Sequence, residues 1–189
     1  IEYNDTSLNN IYSWGDNTYN QLLYSDNVHF SELPYLIHWK LQKYHIKKVA
    51  LGGNFVLALT SQGKILSWGE NDKNQLGWGE NDKNQLGVLS NNDKNHLNYV
   101  TDLSNVIDIK CGVDFGTAIV HGDTNKLYFW GGISRAKPNP LISQSGKYIT
   151  SNKYACGESD IIYADSNKLY KYNLIGERHF ILIDYDDIN

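Results

Sequence analysis

An all-β fold assembled from repeated small sheets, a β-propeller, is what this sequence predicts, and three observations predict it. A strand runs into Trp-Gly three times, as Ile11-Tyr-Ser-Trp14-Gly15, Ile65-Leu-Ser-Trp68-Gly69 and Leu127-Tyr-Phe-Trp130-Gly131, with a degenerate fourth copy at Leu169-Tyr-Lys-Tyr172-Asn173. A glycine landmark precedes the last three copies: Leu51-Gly52-x-x-Phe55, Cys111-Gly112-x-x-Phe115 and Cys156-Gly157-x-x-Asp160, with 16, 18 and 15 residues from glycine to the aromatic position. Between the two landmarks lie short apolar runs and turn residues rather than helical periodicity. Self-similarity at about 50 residues means stacked or radial repeats. Three strands or a little more per unit describe one blade, a small sheet that cannot bury both faces alone.

The elements follow in chain order. Phe55-Val-Leu-Ala-Leu-Thr60 turns through Ser61-Gln62-Gly63 into Lys64-Ile-Leu-Ser-Trp68. Gly116–Val120 turns through His121–Asn125 into Lys126–Trp130, and Ile161–Ala164 through Asp165–Asn167 into Lys168–Tyr172. Each reads as a hairpin with Gly, Asn, Asp or Ser where left-handed geometry or side-chain-to-backbone bonding is needed. A further strand precedes each glycine: Ile46–Leu51, Val106–Cys111 and Tyr148–Cys156. The tryptophans read as wedges between neighbouring blades. The glycine after each suits positive φ, and Asn173 stands in its place as the side chain that best tolerates that region. The whole chain, 1–189, is therefore expected to be one partial propeller of about three to four blades, with repeat landmarks at 11–23, 46–87, 106–132 and 148–173.

Composition bounds the functional classes. The chain is 41% hydrophobic and 20% charged with a net charge of −4, and Lys40-x-x-Lys43 and Lys47-Lys48 are its densest basic stretch, so no phosphate-backbone footprint is indicated. No apolar run reaches the length of a membrane span, and no charged-then-apolar leader pattern is present. The chain starts at Ile1 and contains no methionine, so its ends read as set by processing or fragment boundaries. Asn4-Asp-Thr6 matches a glycosylation acceptor without a leader to support it. Cys111 and Cys156 share one repeat position and read as small buried side chains, which suits a reducing compartment, the cytoplasm or nucleus.

Trp68-Gly-Glu-Asn-Asp-Lys-Asn-Gln-Leu-Gly77 recurs unchanged as Trp78 to Gly87. Gly52 to Gly112 is 60 residues, and removing the ten of one copy leaves 50, close to the other units. One copy therefore supplies the blade strand, and the region 78–100 reads as an inserted polar loop, tolerated because loop-closure entropy rises slowly with length. A copying event in an Asn-rich stretch explains it better than a recognition loop presenting Trp78.

Trp-Gly-(Asp/Glu)-Asn-x-x-x-Gln-Leu, preceded by the Gly-x-x-aromatic landmark and a strand-turn-strand, resembles the repeat of the regulator of chromosome condensation family over most of Ile11 to Asn173. The resemblance implies a seven-bladed propeller, used as a guanine-nucleotide exchange factor for a Ran-type GTPase or, more often, as a protein-binding platform. It also implies a role for the loops after each glycine, where the exchange factor presents acidic and His residues to the GTPase. Asp114, Glu158 and Asp160 keep an acid at matching positions and Asn54 is a neutral stand-in, whereas Phe55, Phe115 and Asp160 occupy the family's His position. No wedge-like insertion after a Trp-Gly is found. A narrower likeness lies in the compact third unit, 45 residues from Gly112 to Gly157. It is similar to the fungal propeller that partners a small zinc protein in diphthamide synthesis and Elongator-dependent tRNA modification, which implies holding an electron-carrier partner.

Asn54, Phe55, Asp114, Phe115, Glu158 and Asp160 are thus the candidate partner-binding set, on one face of the ring near its axis. Acids beside aromatics suit a protein-binding surface. For Phe55 and Phe115 the competing reading, core residues starting a strand, is the stronger. There is no P-loop, no GxGxxG and no GxSxG, and the six histidines share no ligand spacing. The Asp184-Tyr-Asp-Asp187 tail reads as solvated. Neither an enzyme, a cofactor nor a metal is expected; a protein-interaction module is.

Overall fold

The computed structural model describes residues 10–24, 28–37, 41–70, 97–100, 103–132, 135–143, 147–150, 153–165 and 168–184. Among them the only helical element is a short 3-10 turn at Gln42–Tyr44; everything else regular is strand. The first sheet pairs β1 (Tyr12–Asp16) with β2 (Phe30–Leu36). The second is β3 (Ile46–Leu51), β4 (Phe55–Thr60), β5 (Ile65–Gly69) and β6 (Asn98–Tyr99). The third is β7 (Val106–Cys111), β8 (Phe115–Val120), β9 (Lys126–Gly131) and β10 (Arg135–Pro140). The fourth is β11 (Tyr154–Cys156), β12 (Asp160–Asp165), β13 (Lys168–Asn173) and β14 (Arg178–Asp184). Every pairing is antiparallel between consecutive strands, the meander of a propeller blade.

The cores lie between sheets, because alternate side chains of the middle strands point opposite ways. Phe55, Leu57 and Leu59 of β4 pack with Val106, Ile109 and Trp130 of the third sheet. Val56 and Ala58 of the same strand turn the other way and join Trp68, Leu23 and Ile37 against the first sheet. With both faces covered, β4 is buried along its whole length, which is why it reads as an unbroken apolar run. Phe115, Ile119 and Phe129 meet Ile161, Tyr163 and Tyr172 at the junction of the third and fourth sheets.

The tryptophan wedges are real at two of the three sites. Trp68 donates its indole N–H to the Gln21 carbonyl of the first sheet's loop at 2.9 Å. Trp130 is wholly buried. Its ring packs closely against β8 at Gly116, where an added Cβ would sit 2.6 Å from the indole and 2.9 Å from Leu57. Trp14, by contrast, is 58% exposed. The glycines after them do take positive φ: +101° at Gly15, +104° at Gly69 and +90° at Gly131.

Three departures from the sequence reading have physical causes. Asn173 is not among the positive-φ residues; its amide instead donates to Asp160 and accepts from the Gly176 N–H, so a side-chain network replaces the special backbone. The outer strands β2 and β10 were unmarked in the sequence because Pro34, Pro138 and Pro140 interrupt them, and proline is tolerated at a sheet edge. The strand expected from Tyr148 begins only at Tyr154, Tyr148 making an isolated bridge to Ile142. His179 lies on β14, bonded through Nδ1 to the Tyr163 hydroxyl at 3.0 Å. The first copy of the duplicated decapeptide supplies the end of β5; the second copy, 78–87, lies outside the described residues, while Asn98–Tyr99 pairs with Ser67 and Leu66.

Candidate partner-binding face

Each glycine landmark is the start of a tight hairpin turn. The N–H of Gly52, Gly112 and Gly157 donates to the carbonyl of Phe55, Phe115 and Asp160 at 2.9, 2.9 and 2.8 Å. The tips are therefore Gly53-Asn54, Val113-Asp114 and Glu158-Ser159. Glycine is required at the first two positions because the phenylalanine ring folds over it: an added Cβ would lie 1.9 Å from Cε1 of Phe55 or of Phe115. At Gly157, where Asp160 replaces the ring, the nearest atom is 3.8 Å away.

The tips are tied down twice. The residue after each Trp-Gly position donates to the second tip carbonyl: Glu70 to Asn54 at 2.9 Å, Gly132 to Asp114 at 2.8 Å and Leu174 to Ser159 at 3.0 Å. Neighbouring tips also touch, with the Gly53 N–H donating to the Val113 carbonyl at 2.8 Å and the Gly157 carbonyl 2.6 Å from the Cβ position of Gly112. The result is a continuous arc of three hairpin tips spanning the second to fourth sheets.

On this arc the predicted residues separate. Glu158 is exposed and Asn54 and Asp114 are half-buried at the tips. The Asn54 amide donates to Glu70 at 3.2 Å, which brings in an acid the sequence reading had not placed here. The Trp-Gly-Glu spacing could have signalled it, since it sets Glu70 opposite the second tip. Phe55 and Phe115 are core residues, each 1% exposed, and offer no surface to a partner. Asp160 is held within its own sheet by Lys171 at 2.8 Å and by the Asn173 amide at 2.7 Å. Leu51, 72% exposed, and the exposed Val113 supply the apolar surface that the phenylalanines do not.

Behind the tips, adjacent inner strands are latched by charge. Lys48 on β3 pairs with Asp108 on β7, and Lys110 on β7 donates to the Tyr154 carbonyl while its ammonium lies 4.0 Å from the Tyr154 ring centroid. Such a cation over an aromatic face is favourable. Buried Thr117 bonds the Lys110 carbonyl at 3.0 Å and the Tyr154 hydroxyl at 3.2 Å. Burial raises the Tyr154 hydroxyl above its ordinary range; it also raises the Cys111 thiol and pushes Cys156 up to about 11. These thiols are held neutral, the opposite of a reactive or metal-binding cysteine. Among the described residues no group of three His, Cys, Asp or Glu side chains could hold a metal ion.

Radial sheets with stitched inner hairpins define a β-propeller segment presenting a rigid loop face. Residues 9–59 and 46–75 match models of the regulator of chromosome condensation (RCC1) repeat, so repeats of that family account for the span 9–75. Protein pim1 of Schizosaccharomyces pombe is 28% identical over 95 residues, 48% of this chain and 17% of pim1. An RCC1 repeat-containing protein of Dictyostelium discoideum is 26% identical over 148 residues, 78% of this chain and 28% of that protein. The chain thus spans less than a third of either relative. Among solved structures, Prp20p of Saccharomyces cerevisiae superposes with a TM-score of 0.65 at 21% identity, over 87% of this chain and 39% of that one. That likeness establishes the fold.

Proposed function

We propose that this chain is a protein-interaction module that binds a partner protein through the arc of hairpin tips, without covalent chemistry of its own. The observation that carries the reading is the stitching of the tips. Backbone bonds within and between the second and third sheets fix Gly53-Asn54 and Val113-Asp114, and the hairpin of Glu158-Ser159 abuts them through Gly157, so the backbone under the side chains needs no ordering at binding. Glu158, Asp114 and Glu70 supply acidic contacts, and Leu51 and Val113 apolar ones. The two neutral, unpaired thiols suit a cytoplasmic or nuclear setting.

A second reading has a specific support. Prp20p, which shares the fold, was characterised for its binding to Gsp1p and histones. On that analogy the partner is a Ran-type GTPase and the module a nucleotide-exchange factor. A small zinc protein is a third candidate, supported by the compact third unit.

Affinity capture with the tagged chain, followed by titration of the captured protein, tests the module. Glu158→Arg is expected to weaken binding about tenfold or more, the scale of a central interface residue, while leaving the thermal melt unchanged. Unchanged affinity would remove the arc from the reading. Faster nucleotide release from a Ran-type GTPase would select the exchange-factor reading.

A further inference from the structure

At the junction of the third and fourth sheets the repeat breaks its own packing rule. Trp68 and Trp130 fill the two preceding junctions, but the fourth sheet carries the smaller Tyr172 at that position. A cavity of about 290 Å³ opens beside the tyrosine. Its lining comes from two complete four-stranded sheets and the turns at the ends of β10 and β13, and it includes no hairpin tip of the arc.

The inner wall is aromatic. Phe129 and Tyr172 meet edge to face with ring centroids 5.5 Å apart, and the His179 ring lies 4.7 Å from Tyr172. His179 is held by the Tyr163 hydroxyl and by the Ile142 backbone, and burial lowers its pKa, so it stands as a neutral wall near pH 7. The outer wall is polar, formed by half-buried Asn139 and exposed Glu177. The stem of Arg178, between Glu177 and His179 in the chain, lies over Gly176 instead.

Glu177 occupies its place against the preference of the backbone. It takes φ +47°, the left-handed region that favours glycine, while Gly176 beside it does not. Non-glycine residues in that region gather at ligand sites, where the backbone cost is part of the design.

We propose that this cavity is an arginine pocket, which takes the side chain of an arginine on a partner protein, its guanidinium against the Tyr172 and His179 rings and its N–H groups on the Glu177 carboxylate and the Asn139 carbonyl oxygen. The carboxylate selects a cation, and the rings select a flat one. A guanidinium stacks on aromatic faces and offers paired donors to a carboxylate, whereas the compact ammonium of lysine does neither. The source of the arginine rests on the chain being a protein-interaction module; the pocket itself is separate from the arc.

The probe is acetyl-Gly-Arg-Gly-amide, titrated into the full chain and read from the ring-proton NMR signals of Tyr172 and His179. Saturable shifts are expected. The lysine peptide should bind about fivefold or more weakly, and the citrulline peptide, which keeps the shape without the charge, should not bind. Glu177→Gln should weaken binding about tenfold or more with the melt unchanged. Glu177→Gly should abolish binding yet melt at or above the native temperature, because glycine relieves the left-handed backbone. A carboxylate with only a structural duty would give the reverse, a lower melt with binding retained. No saturable shift, or equal binding of the lysine or citrulline peptide, would overturn the proposal. Tighter binding of free L-arginine than of the peptide would also overturn it, giving the pocket to the free amino acid. Peptide titration reads the pocket alone and partner capture with Glu158→Arg reads the arc, so either can fail without the other.

Discussion

Replacing Trp130 with alanine perturbs the junction of the second and third sheets, and the structure sets the size of the effect. Trp130 is 0% exposed and packs on Leu57 and the backbone at Gly116. A buried indole removes ~200 Å² from water, which at ~25 cal/mol per Å² is ~5 kcal/mol. Alanine recovers part of that area and the cavity collapses in part, so ~3–5 kcal/mol is expected to be lost. Trp14 occupies the same repeat position but is 58% exposed. Trp14→Ala should therefore cost about 1–2 kcal/mol, scaled from the fraction still buried. Urea unfolding followed by far-ultraviolet circular dichroism measures both. With a slope of about 2 kcal/mol per molar, Trp130→Ala should move the midpoint down by ~1.5–2.5 M and Trp14→Ala by less than ~1 M. Equal shifts would refute the assignment of the Trp-Gly position as an inter-sheet wedge whose worth depends on a neighbouring sheet.

The remaining expectations concern backbone, thiols and pH. Gly69→Ala should destabilise more than Gly15→Ala although both take positive φ, because the new Cβ would lie 2.4 Å from the Asn54 carbonyl oxygen at Gly69 and meet nothing within 4 Å at Gly15; thermal melts of the two variants decide it. Cys111 and Cys156, raised by burial, should resist a thiol-specific disulfide reagent at pH 8 and react fully in denaturant, and fast native labelling would contradict the packing of the inner strands. For His179, burial lowers the folded pKa below the reference 6.5, so the neutral ring's contribution is complete above 6.5 and is lost as pH falls below it. Melting temperatures from pH 7.5 to 5.5 should drop more for the native protein than for His179→Gln, and parallel curves would exclude His179 as the source.

What was legible in the sequence was whatever the repeat forces through backbone geometry. Gly52 and Gly112 are legible because a ring must cover them, and Trp68 and Trp130 because a flat wedge must fill each junction. Asn17 belongs to the same class: almost fully buried, its side chain accepts from the Leu22 N–H at 2.8 Å and shapes the loop that receives Trp68. The outer strands were not legible, since an edge strand such as Phe30–Leu36 needs neither alternation nor freedom from proline. Nor was the fate of Asp160. Its place in the pattern is that of an aromatic, and only the fold shows Lys171 and Asn173 arriving from the neighbouring strand to hold it. Cross-strand partners of this kind are ten or more residues apart in sequence, and no local spacing announces them.

The fourth sheet also shows where this repeat keeps its freedom. Where Phe55 and Phe115 cap a glycine and press into the next sheet, Asp160 forms an ion pair in its own sheet, and the glycine after the aromatic becomes Asn173, bonded to that same acid. The two positions have changed together and the hairpin geometry is kept, with the Gly157 N–H still bonded to the Asp160 carbonyl at 2.8 Å. The tips obey no such coupling. Gly53-Asn54, Val113-Asp114 and Glu158-Ser159 differ in charge and in the character of the first residue, yet each offers the same backbone carbonyl to the residue after its Trp-Gly position. Backbone bonds hold the tips, so the hairpin geometry does not depend on which side chains they carry. A surface whose scaffold is fixed by main-chain bonds is one whose side chains selection can shape for a partner without disturbing the sheets beneath.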